Sequence, residues 1–275
     1  MPPIKIIFED DSILVLDKPP GLVVDKHSLP CKDGKSETSS GNTLEDWLES
    51  QAPRQRPARL PRMGIVHRLD KDTTGVLLVA KTQTALENLQ AQFKDRTIKK
   101  EYLALAHGLV EKPGKVEGAI GRNPGNKEKF AIIEDGKEAV TEYSPMKNYQ
   151  FTISTAEGGA SYFQKIFNEF TKIQLRKLEK MNYNQFTLLS CKPRTGRTHQ
   201  IRVHLKYIGH PIVSDEKYVG RKMNRLDKRW CPRMFLHAAK IGFKHPVTGI
   251  WMEVESKLPE DLKEVLWITF SYNLQ

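Results

Sequence analysis

The stretch of sequence that most constrains the fold is VHRLDKDTTGVLLVAK at residues 66–81. It begins with side chains of both charges and changes at Gly75 into an apolar run. A short apolar run bounded by turn residues is typical of a strand buried on both faces. We therefore predict a strand at 75–80 with Asp70 in the turn before it. A carboxylate there either caps the turn or serves a reaction, and these residues alone favour the turn.

The remaining pattern predicts more strands than helices. Ile4–Phe8 and Ile13–Leu16 have the alternation of a β-hairpin, and strands are predicted at 102–110, 138–143, 149–153, 186–191 and from 235 onwards. Helices are predicted after Thr43, around 86–93 and around 201–208, where the apolar residues have helical spacing. Residues 27–42 and 111–130 have loop composition. The predicted fold class is α+β, with a mixed, largely antiparallel central sheet and flanking helices and loops, in a single domain over 1–275.

A long helical pattern at about 154–184 interrupts the strands. Its apolar stripe is Phe163, Ile166, Phe167, Phe170 and Ile173. Basic residues become frequent towards its C-terminal end, which suits the helix dipole. We interpret this segment as a helical insertion that alters the rim of a binding cleft. The alternative is a helix that only covers the core.

Composition excludes several classes of protein. No apolar run approaches the roughly 20 residues that span a bilayer, and the N-terminus lacks the order of a signal peptide. The three cysteines, Cys31, Cys191 and Cys231, form neither a disulfide framework nor a CxxC motif. The sequence therefore predicts a cytoplasmic protein with reduced thiols and no membrane association.

The net charge of +11 is confined to one block of sequence. Residues 190–245 contain 14 Lys and Arg against 3 Asp and Glu, while the rest of the chain has 30 of each. Five of the eight histidines also lie in this block. Such a concentration favours a polyanionic partner, a nucleic acid, over a merely solvated face.

Other motifs give no competing site. Gly34-Lys35-Ser36 lacks the earlier glycine of a P-loop, since Leu29 stands there. His199, His204 and His210 are irregularly spaced and lack a cluster of carboxylates or cysteines, so no metal site is predicted.

Several motifs in the same order resemble the RluA-type pseudouridine synthases. HRLDKDTTG at 67–75 is similar to the HRLDxxTSG signature of that family, with Thr74 where serine is usual. KKEYLALAHG at 99–108, TGRTHQIRVHL at 195–205 and GHPIVSDEKYVG at 209–220 resemble its later motifs, as do FLHA and HPVTG. The resemblance runs from about Ile4 to about Leu262. It implies an enzyme that isomerises uridine in RNA to pseudouridine without a cofactor.

The resemblance assigns catalytic roles to three residues. Asp70 corresponds to the catalytic aspartate, which either attacks C1′ of the ribose or removes the C2′ proton. Arg202 corresponds to the basic partner that would pair with Asp70 and keep it ionised. Tyr102 corresponds to the aromatic residue that contacts the target base, and its alternative is strand packing.

Four further residues are predicted to bind RNA or support the site. Arg68 resembles the arginine that fills the gap left by a flipped uridine, because chemistry on a stacked base requires extrusion. His67 has either an RNA contact or a supporting role in the loop. Arg197 and His199 are expected either to bind phosphate or to hold the Arg202 helix.

Two rival functions are also compatible with the sequence. One is a non-catalytic RNA-binding protein, which would not need Asp70, Tyr102 and Arg202 together. The other is a hydrolase that uses Asp70 with His67. The expected partner is RNA, either ribosomal or transfer RNA, and the expected state is a monomer. The chain starts in the first hairpin, so no N-terminal S4 RNA-binding domain is expected.

Overall fold

The computed structural model describes residues 3–26, 43–51, 60–150 and 170–270. The described residues form eleven strands and six α-helices. In chain order these are β1 (Lys5–Glu9), β2 (Ile13–Lys18), α1 (Leu44–Gln51), β3 (Thr74–Ala80), α2 (Gln83–Lys94), β4 (Lys99–His107), β5 (Gly114–Glu117), β6 (Ile120–Asn123), β7 (Asn126–Ile132), β8 (Val140–Gln150), α3 (Lys172–Lys180), β9 (Gln185–Pro193), α4 (Gln200–Tyr207), α5 (Arg221–Asp227), β10 (Leu236–Lys244), β11 (Trp251–Glu255) and α6 (Glu260–Phe270).

The chain divides into two compact units. The first unit comprises Met1–Glu101 and His237–Lys257, and the second comprises Tyr102–Leu236 and Leu258–Gln275. Each unit therefore combines segments that are distant in sequence. The single domain predicted from the sequence stays a prediction.

In the first unit, a sheet packs against helix α2. Strands β1, β2 and β3 are antiparallel neighbours, β10 runs parallel to β3, and β11 pairs antiparallel with β10. Every residue of β3 is buried, as its continuous apolar run predicts. Leu86 and Leu89 of α2 pack with Val76 and Leu78 of β3 in one core cluster. This packing fixes the strand that follows Asp70.

The second unit contains antiparallel strands and a hydrophobic core cluster. Strands β4, β9, β8 and β5 pair in that order, and β6 and β7 form a separate hairpin. Buried aromatic residues such as Tyr149, Phe186 and Phe235 fill the core together with aliphatic residues of β4, β9 and α4. The residues of α4 from Gln200 to Leu205 are all buried, so this helix lies inside the unit.

The predicted fold class is confirmed. Only the β3–β10 pairing is parallel among the pairings given above, and the others are antiparallel. The predicted first hairpin, the helix after Thr43, the buried strand and the helix around Ile201 are also present. Helix α4 ends shortly before Gly209, which adopts a positive φ of +85° that is typical of a glycine after a helix.

The prediction of a loop at 111–130 is wrong. This region contains β5, β6 and most of β7. These strands are short and largely exposed, so their sequence lacks the apolar alternation that identifies a half-buried strand. Their hairpin turns at Asn123–Asn126, where Pro124 and Gly125 suit a turn.

The predicted helix at 154–184 lies only in part within the described residues. The structure has helix α3 at Lys172–Lys180. Ile173, which the predicted stripe placed on the apolar face, is 67% exposed, and Leu175 and Leu178 are buried instead. Phe163, Ile166 and Phe167 lie outside the described residues, and the role of the segment as an insertion stays a prediction.

Candidate active-site residues

Asp70 lies in a short loop between a tight turn at Pro61–Gly64 and strand β3. Its carbonyl accepts the Thr73 N–H at 3.1 Å, which closes the turn into the strand. Leu69 before it is buried and Arg68 is exposed, while Asp70 itself is partly buried. The loop thus anchors itself through Leu69 and presents the Arg68 side chain to solvent.

A buried lysine holds this loop from the side of β2. Lys18 has no exposed surface, and its ammonium group donates hydrogen bonds to three carbonyl oxygens. These belong to Pro19 at 2.8 Å, Leu22 at 2.9 Å and Lys71 at 2.8 Å. Since Lys71 follows Asp70 directly, Lys18 fixes the backbone on the C-terminal side of the carboxylate. A buried ammonium needs such partners, because an isolated one is strongly disfavoured.

The start of β3 is held by a buried histidine. Nδ1 of His237 lies 2.9 Å from the Thr74 hydroxyl, and its Nε2 lies 3.0 Å from the carbonyl oxygen of Ser256. The carbonyl can only accept, so Nε2 carries the proton and Nδ1 accepts from the Thr74 hydroxyl. Threonine therefore supplies here the hydroxyl that serine provides in the family signature.

Gly75 permits the close pairing of β3 with β10. Its φ is +112°, a region that favours glycine. A Cβ at this position would overlap the carbonyl oxygen of Ala238. Gly75 therefore serves the backbone geometry at the start of β3.

His67 supports the same loop from within. Its Nε2 accepts the Leu78 N–H of β3 at 2.9 Å, and its ring lies 5.0 Å from that of Phe93. Burial, together with the positive charge of Lys100, lowers the pKa of His67 to about 3. The neutral ring with an accepting Nε2 stabilises β3. An RNA contact of His67 stays a prediction.

Tyr102 lies on β4, opposite Cys191 of β9. Its partly buried ring packs against the core cluster of the second unit. The strand-packing interpretation and the base-contact interpretation therefore both remain compatible with its position.

Helix α4 is held in place by the Gln200 side chain. Its amide nitrogen donates to the Val140 carbonyl at 2.9 Å, and its amide oxygen accepts the Arg197 N–H at 3.0 Å and the Thr195 hydroxyl at 2.6 Å. Nε of Arg197 donates to the Glu138 carbonyl at 3.1 Å. Arg197 thus contacts the backbone before β8, and its predicted RNA contact stays a prediction.

Arg202 forms a buried bidentate ion pair within the second unit. Its Nε donates to Oδ2 of Asp215 at 2.7 Å and its Nη2 donates to Oδ1 at 2.8 Å. Asp215 has no exposed surface and Arg202 is 7% exposed. The guanidinium fork matches a carboxylate in this geometry, which fixes both distance and orientation. The predicted pairing of Arg202 with Asp70 joins residues of different units and stays a prediction.

His199 and Arg202 are brought together by Tyr218. Nδ1 of His199 lies 2.8 Å from the Tyr218 hydroxyl, and the Arg202 guanidinium lies 5.0 Å from the centroid of the Tyr218 ring. His199 precedes α4 in the left-handed region, with φ of +56°. Both expected roles of His199, holding the Arg202 helix and binding phosphate, stay predictions.

No group of three or more metal-ligating side chains occurs in residues 3–26, 43–51, 60–150 and 170–270. Within the same ranges, no helix is long and apolar enough to cross a membrane.

Comparison with known proteins decides the family. The family model described as RNA pseudouridylate synthase matches residues 12–207. This match includes both the Asp70 loop and α4. The chain belongs to the RNA pseudouridylate synthase family. The predictions of the family and of the enzyme class, a pseudouridine synthase that acts on RNA, are therefore confirmed.

Relatives carry names of the same family. A ribosomal large subunit pseudouridine synthase D from Nitrosomonas europaea is 39% identical over 96% of this chain and 64% of its own length. The protein of that name from Pseudomonas aeruginosa is 36% identical over 96% of this chain and 70% of its own. An uncharacterized RNA pseudouridine synthase from Aquifex aeolicus is 38% identical over 96% and 72%. The chain thus spans roughly two thirds of the length of these relatives.

Solved structures agree on the fold. The structure of human RNA pseudouridylate synthase domain containing 1 has a TM-score of 0.64 and 25% identity, over 94% of this chain and 84% of that one. Human RNA pseudouridylate synthase domain containing 4 has a TM-score of 0.63 at 22% identity, over 96% and 92%, and supports the fold.

Sequence reasoning missed four residues that support the predicted ones. They are Lys18, His237, Asp215 and Tyr218. The sequence offered two signals, a lysine inside an apolar strand (Lys18) and an acid inside the basic block (Asp215). Neither signal identifies the residue that the side chain contacts, because the contacts join residues 13 to 163 positions apart in sequence.

Proposed function

We propose that this chain converts uridine to pseudouridine in ribosomal RNA of the large subunit. The loop that carries Asp70, with its intact HRLD sequence and its fixed backbone, is the observation on which the proposal depends. The names of the relatives from Nitrosomonas europaea and Pseudomonas aeruginosa support the choice of RNA. The cytoplasmic location and the monomeric state stay predictions.

Asp70 is the proposed catalytic carboxylate. The isomerisation breaks the bond between N1 of the base and C1′ of the ribose, and forms a bond between C5 and C1′. The C5 proton then leaves, and N1 gains a proton, so the product is an isomer of the substrate. Asp70 either bonds to C1′ as N1 departs or removes the C2′ proton, and both roles require the ionised form. The fixed Lys71 carbonyl limits movement of the loop during this step.

Arg202 is proposed to keep the catalytic carboxylate ionised, and Tyr102 is proposed to contact the target base. The permanently charged guanidinium of Arg202 would favour ionisation of a nearby carboxylate. The ring of Tyr102 would stack on the target base, an interaction typically worth about 1–3 kcal/mol. Tyr102 keeps enough exposure on β4 for this contact, since it is only partly buried.

Arg68 is proposed to occupy the space that the flipped uridine leaves. Its side chain is exposed, which supports contact with RNA, and its planar guanidinium can stack between bases. The exposed cations of the 190–245 block would bind phosphates without sequence preference.

The proposal is tested by mapping pseudouridine in cellular RNA with and without the gene, and in transcripts of large-subunit ribosomal RNA and transfer RNA. We expect one or more positions of ribosomal RNA to lose the modification without the gene. Asp70→Asn should give no detectable product while RNA affinity stays within about threefold, since the carboxylate acts in the reaction rather than in phosphate binding.

Asp72→Asn is the matched control for this experiment. Asp72 is an exposed acid two residues further along the same loop, and its loss should leave turnover within about twofold. Product formation by Asp70→Asn at the wild-type rate would refute the role of Asp70. Modification of transfer RNA alone would refute the proposed substrate.

A further inference from the structure

The Arg202 guanidinium is held on two sides by residues of one short motif. Asp215 accepts from Nε and Nη2 along one edge of the guanidinium, at 2.7 and 2.8 Å. The Tyr218 ring centroid lies 5.0 Å from its central carbon. Asp215 is completely buried and Tyr218 is 8% exposed, so water does not readily replace either contact with Arg202. Both belong to the stretch GHPIVSDEKYVG at 209–220.

The turn that carries Asp215 and Tyr218 is itself fixed. The Asp215 carbonyl accepts the Tyr218 N–H at 3.1 Å and the Val219 N–H at 2.9 Å. The preceding Ser214 has a φ of +58°, and its N–H donates to the buried carboxylate of Asp227 at 2.8 Å. The backbone therefore cannot shift at Asp215 without breaking a buried hydrogen bond.

The Tyr218 hydroxyl connects this turn to two further elements. It accepts the Phe130 N–H of β7 at 2.9 Å and lies 2.8 Å from Nδ1 of His199 before α4. The rings of Phe130 and His199 also meet edge to face at 5.5 Å. Tyr218 thus uses its hydroxyl to hold the β6–β7 hairpin and its ring to contact Arg202.

We propose that Asp215 and Tyr218 are positioning residues for the Arg202 guanidinium, with the Tyr218 ring, rather than its hydroxyl, acting on Arg202. This inference rests on the proposed function of Arg202 as the basic residue of the reaction. A guanidinium fixed by a bidentate carboxylate and a ring face has one orientation. A basic group that must keep a catalytic carboxylate ionised gains from such a fixed orientation, because small misplacements reduce the rate strongly.

The two functions of Tyr218 are separated by a pair of variants. Tyr218→Phe keeps the ring and removes the hydroxyl, while Tyr218→Leu removes both. If the ring positions Arg202, Tyr218→Leu should lower kcat by roughly tenfold to a hundredfold. Tyr218→Phe should keep kcat within about threefold, and KM for RNA should change by less than about threefold in both. Tyr207→Leu removes a tyrosine that is 66% exposed on α4 and serves as the matched control.

Two variants test whether the negative charge of Asp215 positions Arg202. Asp215→Asn keeps the shape but places an amide against the guanidinium, and should lower kcat by roughly tenfold to a hundredfold at constant KM. Asp215→Glu restores the charge and should recover part of that loss. Circular dichroism confirms folding, and if Asp215→Asn does not fold, the two Tyr218 variants decide the inference.

A spectroscopic measurement tests the positioning without activity. The ¹⁵N–¹H signal of Arg202 Nε, assigned by its loss in Arg202→Lys, should keep its position in Tyr218→Phe and shift in Tyr218→Leu. Equal kcat in the two Tyr218 variants, or an unchanged Nε signal in Tyr218→Leu, would overturn the inference. A wild-type protein that modifies no RNA would count against the proposed function, and the Nε signal would then decide the positioning by itself.

Discussion

At the residue scale, the most unusual side chain near Asp70 is the buried Lys18. Its three carbonyl partners replace the water that an exposed ammonium would bind. Lys18→Met keeps the aliphatic length but leaves three carbonyls without their donor. Because a hydrogen bond to a charged group contributes about 1.5–3 kcal/mol, we expect the free energy of unfolding to fall by about 3 kcal/mol or more. Urea unfolding followed by circular dichroism measures this change.

Lys5→Met is the control for that measurement. Lys5 is an exposed lysine on β1, and its loss should change the free energy of unfolding by less than about 0.5 kcal/mol. If Lys18→Met were as stable as Lys5→Met, the ammonium group would not support the Asp70 loop.

The lowered pKa of His67 predicts how the free energy of unfolding depends on pH. Burial lowers its pKa to about 3 from the ordinary 6.5, so between these pH values the unfolded chain binds a proton at His67 and the folded chain does not. The contribution of neutral His67 to the free energy of unfolding is therefore complete above pH 6.5 and is lost as the pH falls towards 3. From pH 7 to pH 5, His67 should cost the folded state about 2 kcal/mol. His67→Gln keeps an acceptor for the Leu78 N–H and should show a correspondingly smaller decrease.

The test is urea unfolding of both proteins at pH 7 and pH 5. Other groups titrate equally in the two proteins, so the difference between the two decreases isolates His67. Identical decreases would mean that the folded state protonates His67 as easily as the unfolded chain does.

At the element scale, the β3–β10 pairing depends on Gly75. A Cβ there meets the Ala238 backbone, and the φ of +112° disfavours any other residue. Gly75→Ala should therefore separate the strands or strain them, at a cost well above the roughly 1–2 kcal/mol of the backbone conformation alone. Gly249→Ala is the matched control, because Gly249 has a φ of +71° with nothing near the added carbon. Thermal unfolding of both variants measures the difference, and equal melting temperatures would contradict the steric argument.

The elements differ in how far the sequence predicts them. Strand β3 is correctly predicted because its continuous apolar run is buried at every residue. Helix α2 is correctly predicted because Leu86 and Leu89, which are buried in the same core cluster, have helical spacing. The β6–β7 hairpin is missed because its strands are held by pairing and by Tyr218, which leave no such pattern. The spacing of apolar residues indicates which face of an element is buried. An exposed hairpin buries too few apolar side chains for its strands to be recognised in this way.

The same limit applies to the candidate site. The family resemblance singles out Asp70 and Arg202, whereas Asp215 has no role assigned by it and lies in the basic block. Its pairing with Arg202 follows only from the packing of α4 against the turn at 212–215. The sequence therefore predicts which groups react, and the structure shows which groups hold Arg202 in place.

At the scale of the whole molecule, the uneven charge distribution predicts how RNA binding depends on salt. Helix α5 exposes Arg221, Lys222 and Arg225, all within the basic block. If each contacts a phosphate, replacing all three by glutamine should make the slope of log K against log salt shallower by about 2. Titration of a labelled ribosomal RNA fragment at several salt concentrations measures both slopes.

The control removes the same charge elsewhere. Lys5, Lys94 and Lys257 are exposed lysines outside the basic block, and their replacement by glutamine lowers the net charge equally. If overall charge alone attracted RNA, the two triple variants would have the same slope. Counterions are released only where cations meet phosphates, so we expect the control to keep the wild-type slope within about 0.5. If the slope of log K against log salt changes equally in both variants, RNA binding depends on the total charge of the protein and not on the 190–245 block.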